Sequence, residues 1–226
     1  MNHPIVRYIL LFSLLLPAHL PLRAQVINWG NLQDGQRHWI NAHTGAQYGM
    51  VFGLGYAYQL ADSEFPVIAN AAYSFPSGNN LLDDFKAKLG TQVRLLQMND
   101  FHFAVKAHGI FRGYENELVR LLNWGMDLSG TIGYYRPSWF VAGEAGFDKA
   151  ISTRFKHTDT YKKQYPDVKD GWYAPATGGN FNYGLQGGVS FGRHDITLSG
   201  GGLLQEDFKK KPLLPFYLLL GYNYRW

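Results

Sequence analysis

From Tyr48 to Leu60 every second residue is large and apolar: Tyr48, Met50, Phe52, Leu54, Tyr56, Tyr58 and Leu60. The residues between them, Gln47, Gly49, Val51, Gly53, Gly55, Ala57 and Gln59, are mostly small or polar. A period of two sends successive side chains to opposite faces of a β-strand, so this stretch reads as a strand with one apolar face. The same alternation returns in stretches that begin at Phe85, Phe101, Leu122, Trp139, Phe181, Ile196 and Phe216, and more weakly over Phe65 to Phe75. Most of these runs are longer than the roughly five or six residues usual in globular strands. They match the roughly 9–11 residues a tilted strand needs to cross a bilayer. The second face carries Gly, Gln, Ser and scattered charge, and the apolar face often ends in Tyr or Trp, as expected of strands that meet lipid on one side.

The turns point the same way. If the C-terminus lies in the periplasm, the turns at Gly192-Arg193-His194, Arg136-Pro137-Ser138, Met98-Asn99-Asp100 and Ala61-Asp62-Ser63 share its side and are all short. The opposite set, Pro76 to Asp84, Gly113 to Glu117, Ile151 to Gly179 and Glu206 to Pro212, is longer on the whole. That sorting is typical of bacterial outer-membrane barrels. The strands after Gly45 number about nine, and these barrels use even numbers. One further strand is therefore expected between Val26 and Ala42, with Trp29, Trp39 and Ile40 as anchors and a turn at Asp34-Gly35. The expected fold is all-β, a transmembrane up-and-down antiparallel barrel of about ten strands, with eight or twelve as alternatives.

Composition agrees. Of the 226 residues only 17% are charged, whereas 16% are aromatic and 26 are Gly. The length suits one domain. A net charge of +4 suggests no nucleic-acid partner. Cysteine is absent, which excludes a lipid-modified N-terminal Cys, a thiol nucleophile and a thiolate metal site. Residues 1–24 read as a signal peptide: His3 and Arg7, an apolar run from Tyr8 to Leu16 too short to span a bilayer, then Ala24 before a cleavage point at Gln25. Residues 25–226 are left as one barrel domain in the outer membrane.

At the C-terminus Leu218, Leu220, Tyr222, Tyr224 and the terminal Trp226 alternate and end on an aromatic residue. This resembles the closing-strand signal of Gram-negative outer-membrane proteins. In size the chain is similar to the small barrels of the OmpX and omptin kind. The resemblance implies delivery by periplasmic chaperones, insertion by the barrel-assembly machinery, and outer-membrane lipid and lipopolysaccharide as surroundings. It says nothing about activity.

If the apolar face meets lipid, Lys86, Lys88, Arg94, Lys106, His108 and Arg112 point inward from two neighbouring strands. Asp127, Glu144 and Asp148 point inward from the next two. The opposite register would place these charges in lipid, at about 2–4 kcal/mol for each Lys or Arg near the midplane. Two outcomes follow for this lumen: a packed network of buried ion pairs, or a narrow pore selecting a small polar solute. Inward glycines (Gly49, Gly53, Gly55, Gly90, Gly146, Gly184, Gly188, Gly201) make room for either, or for long side chains.

The long loop at about 151–179 carries Arg154, Lys156, Tyr161, Lys162, Lys163, Trp172 and Tyr173, a mixture of basic and aromatic groups suited to anionic glycans or lipopolysaccharide phosphates. A rim hydrolase would use Asp83-Asp84 and His157-Thr158-Asp159, with His as base and Asp as orienter. Their spacing departs from the omptin pattern, and the chain is expected not to be an enzyme. His102 and His108 share a face but lie roughly 20 Å apart along a strand. Neither a metal site nor a cofactor is expected.

Overall fold

The computed structural model describes residues 25–33, 35–47, 49–61, 64–77, 84–175, 179–208, 212 and 214–226. The expected leader, and with it Asp34, Asp62, Ser63 and Asp83, lies outside the described residues. A turn of 3-10 helix at Trp29–Asn31 leads into β1 (His38–Ala46), β2 (Met50–Ala61), β3 (Val67–Pro76), β4 (Asp84–Met98), β5 (Phe101–Glu115), β6 (Val119–Tyr135) and β7 (Trp139–His157). A short helix α1 (Asp159–Gln164) and a short strand β8 (Gly171–Tyr173) follow, then β9 (Gly179–Phe191), β10 (His194–Gln205) and β11 (Phe216–Arg225).

All these strands except β8 form a closed ten-stranded antiparallel barrel. Neighbours in sequence are neighbours in the wall, β7 pairs with β9, and β8 only extends the rim against β7. Closure comes from β1 against β11, from Trp39↔Arg225 to Ala46↔Leu218. The expected first strand therefore exists, but it starts at His38, well after Val26. Three register shifts, at Gln59/Ala61, Arg94/Leu96 and Trp124/Gly125, insert single-residue bulges. The second of these explains why Leu95 and Leu96 are both exposed, against strict alternation.

Burial is inverted relative to a water-soluble fold. Leu89, Ile132 and Leu185 face outward, 70%, 64% and 65% exposed, while Lys86, Gln92 and Asn223 are at 2%, 0% and 0%. Outward aromatics gather in two rings with aliphatic residues between them. At one end Phe101, Tyr134 and Trp139 contact in sequence. At the other, Tyr73, Phe85, Phe111 and Trp124 form a chain of rings.

The first end carries the turns 62–66, 99–100, 136–138 and 192–193. The other carries 47–49, 77–83, 116–118, 158–178 and 206–215. The asymmetry of length rests on three of these connections, because 47–49 and 116–118 are as tight as the opposite turns. Three expectations are corrected here. The loop expected at Gly113 to Glu117 shrinks to 116–118, since β5 continues to Glu115. The long loop does not start at Ile151, since β7 runs on to His157. Gly49 lies in a turn with φ of 153° and not in the wall.

Candidate functional site

Of the ionisable residues on β4 to β7, Lys86, Lys88, Lys106, His108, Asp127, Glu144 and Asp148 are buried in the lumen, with Arg94 and Arg112 half-buried, while Glu115, Arg120, Arg154 and Lys156 are exposed. The wall's curvature brings together lumen side chains two strands apart. Lys88 on β4 meets Asp127 on β6. Lys106 on β5 lies 3.5 Å from Glu144 on β7 and 3.5 Å from Gln186 Oε1 on β9. Gln186 in turn donates to the Tyr135 hydroxyl at 3.4 Å. Arg112 grips both oxygens of Asp84 at 3.1 and 3.2 Å. Asp148 accepts from the backbone and side chain of Asn180, each at 3.1 Å, and Lys86 is buried beside it with their charges opposed. His108 Nε2 meets Asn70 Oδ1 at 2.9 Å, with Asp127 3.8 Å from its Nδ1. Basic β4–β5 and acidic β6–β7 thus neutralise each other across the lumen, as buried charges must.

The inward glycines serve rings more than long cations. A Cβ at Gly90 would collide with His108, at Gly53 with His43, at Gly188 with Phe140, and at Gly184 or Gly201 with the Tyr217 hydroxyl.

Residues 25–33 fill the turn end of the lumen, where sequence patterning had suggested wall. Val26, Ile27 and Trp29 are buried against Trp39, Ile68, Ala104 and Phe140. Trp29 and Trp39 therefore point inward and only Ile40 is an outward anchor. Every backbone group of this plug that faces the wall needs a partner, because water is excluded. Gln92 Nε2 donates to the Gln25 carbonyl at 2.9 Å, and Asn223 Nδ2 to that of Val26 at 2.8 Å. Arg94 Nη1 reaches the Trp29 carbonyl at 3.4 Å, and Arg225 donates to that of Asn31. Asn28 Nδ2 donates to the Arg136 carbonyl and to Ser190 Oγ, each at 2.9 Å, which staples the plug to the β6–β7 turn and to the end of β9. Arg225 is anchored by Asp195 at 3.3 Å. None of these plug contacts was anticipated apart from an inward Arg94. The available signals were the adjacent pair Val26-Ile27, which breaks alternation, and the amide-rich run Gln25, Asn28, Asn31, Gln33.

At the far rim the connection after β7 is ordered. Thr158 caps α1, accepting from the Tyr161 amide at 3.4 Å, and its hydroxyl donates to the Glu117 carbonyl at 3.0 Å. Asp170 accepts from the His157 amide at 2.9 Å, from His157 Nδ1 at 3.0 Å and from Lys162 Nζ at 2.6 Å. The His157 amide, with Lys162 behind it, holds the Asp170 carboxyl well below the usual carboxylate range. His157 is thus turned to Asp170 and not to Asp159, which sits in the first turn of α1. Asp84, the other member expected at a rim site, is committed to Arg112. Rings run in file from Phe155 through His157 and Tyr161 to Tyr165, with centroids 6.3, 5.1 and 5.0 Å apart. Tyr173 meets Phe155 edge-on, and Trp172 stands 53% exposed opposite Arg154. Lys156 and Lys163 are exposed nearby. The aromatic C-terminal series Leu218, Leu220, Tyr222 and Tyr224 faces outward on β11, and Trp226 exchanges backbone hydrogen bonds with His38, each 3.1 Å.

No model of a known protein family matches the chain, and none of the curated proteins matches it.

Proposed function

We propose that this chain is an integral outer-membrane protein whose lumen is closed, and whose contact with the outside is the ordered rim formed by residues 154–173. In this reading residues 1–24 are an export leader cut before Gln25, the short turns face the periplasm, and assembly follows the C-terminal aromatic signal. The observation that carries it is the inversion of burial: an apolar outer band between two aromatic rings, around a polar interior. Water would not tolerate such a surface on a monomer, whereas lipid requires it. Of the two lumen outcomes, the ion-pair network is favoured over the pore, because Lys88–Asp127, Lys106–Glu144 and the plug occupy the cross-section. The test is conductance of the refolded protein in a planar bilayer, with folding confirmed by heat-modifiable migration. A silent bilayer is expected; reproducible steps whose ion selectivity changes in a Lys106→Ala variant would contradict the closed lumen.

A second reading concerns the rim. The file of rings, exposed Trp172 and Tyr173, and the cations Arg154, Lys156 and Lys163 favour binding of an anionic glycan, lipopolysaccharide included. A Trp172→Ala, Tyr173→Ala double variant should lose glycan binding while inserting normally. Unchanged binding would sink this reading alone.

A further inference from the structure

Hydrogen-bond partners place Gln25 deepest in the plug. Asn31 pairs with Arg225 near the barrel mouth, while Gln25 meets Gln92 and Asn223 further in. Only 5% of Gln25 is exposed. Its Nε2 donates to Asn223 Oδ1 at 3.2 Å, and its Oε1 has no hydrogen-bond partner among the described residues. Beside it lies a cavity of about 20 Å³ lined by Asn41, His43, Thr197 and Ser199 among others, with no carboxylate in the lining.

On the export reading above, on which this inference rests, Gln25 is the first residue of the mature chain. Its α-ammonium would then be a charge on a residue that is buried beside a cavity with no counter-ion among its described lining residues, which is the costly arrangement. A neutral end suits this site. Glutamine is the residue that can supply one from its own atoms.

We propose that residue 25 of the mature protein is pyroglutamate. The α-nitrogen attacks the side-chain carbonyl carbon Cδ, a lactam C–N bond forms, the Cδ–Nε2 bond breaks, and Nε2 leaves as ammonia with the proton shed by the amine. No oxidant, reductant or co-reactant is needed. The surroundings accept the change. The carbonyl of residue 25 is untouched and keeps Gln92. Asn223 Oδ1 loses the Gln25 donor but retains Asn41 Nδ2 at 2.8 Å. The partnerless Oε1 becomes the lactam oxygen and loses no bond.

The experiment is mass spectrometry on the native protein in isolated outer membranes. The membranes are dissolved in cold denaturant and free amines are capped at once by reductive dimethylation, before digestion, so that a buried α-amine is reached and cyclisation during work-up is excluded. The tryptic peptide from Gln25 to Arg37 should be uncapped and lighter than its encoded mass by one ammonia. The same peptide carrying a dimethylated α-amine would overturn the inference and leave the export reading standing. A peptide in which Ala24 still precedes Gln25 would overturn both.

Discussion

Lys88 and Asp127 meet with 1% and 7% of their side chains exposed, so each is the other's main compensation. Asp127→Leu should lower stability by about 3–5 kcal/mol, because a buried ammonium loses its close partner. The Lys88→Met, Asp127→Leu double variant should recover most of that loss. Urea unfolding in lipid vesicles measures both, and equal losses in single and double variants would mean that the pair contributes through packing. Asp170 illustrates a different regime at the exposed rim. Its folded carboxyl is held low by the His157 amide and Lys162. A depressed value stabilises above the unfolded pKa of about 3.9 and is lost as pH falls toward the folded one. Protease resistance of residues 158–170 should therefore persist from neutral pH down to about 4 and fall only below it. Asp170→Asn should be cleaved faster at neutral pH, and identical cleavage would show that the rim is ordered by its rings alone.

At the scale of elements, the strands were legible and the plug was not, for one physical reason. A strand with an apolar outer face and a polar lumen on the other must alternate, so β2, β5 and β11 can be read from the chain directly. A segment buried on all sides inside the lumen has no such periodicity, and Trp29 looks the same in sequence whether it meets lipid or the floor of a barrel. The inward direction of Lys88, Lys106, Asp127 and Glu144 was likewise readable from alternation. Their pairing depends on curvature across two strands, which no local pattern reports. His157 shows the same limit, since its partner Asp170 is brought back by the β7–β8 hairpin. The plug makes its own predictions. A Cβ on Gly30 would lie 2.6 Å from the Tyr135 carbonyl oxygen, so Gly30→Ala should cost about 1–3 kcal/mol or displace the segment. Trp29→Ala, at a residue 2% exposed, should cost about 3–5 kcal/mol. Both should raise conductance above the silent background, and silence in both would assign closure to the charge network instead.

For the whole molecule, the governing fact is where the apolar surface lies. Leu128 is 60% exposed while its neighbour Ser129 is buried, and this contrast repeats around ten strands. If the outer band lies in lipid, Leu128→Arg should destabilise the inserted barrel by about 2–4 kcal/mol. The absence of cysteine makes the membrane claim open to a direct measurement, because any introduced thiol is the only one. Single variants Lys163→Cys on α1, Leu128→Cys in the band and Arg193→Cys in the β9–β10 turn would be treated with a membrane-impermeant maleimide on intact cells. The account predicts labelling of Lys163→Cys at once, of Arg193→Cys only after the outer membrane is permeabilised, and of Leu128→Cys only after unfolding. Labelling of Leu128→Cys in the folded protein, or of Arg193→Cys on intact cells, would contradict a barrel that crosses the outer membrane in this orientation.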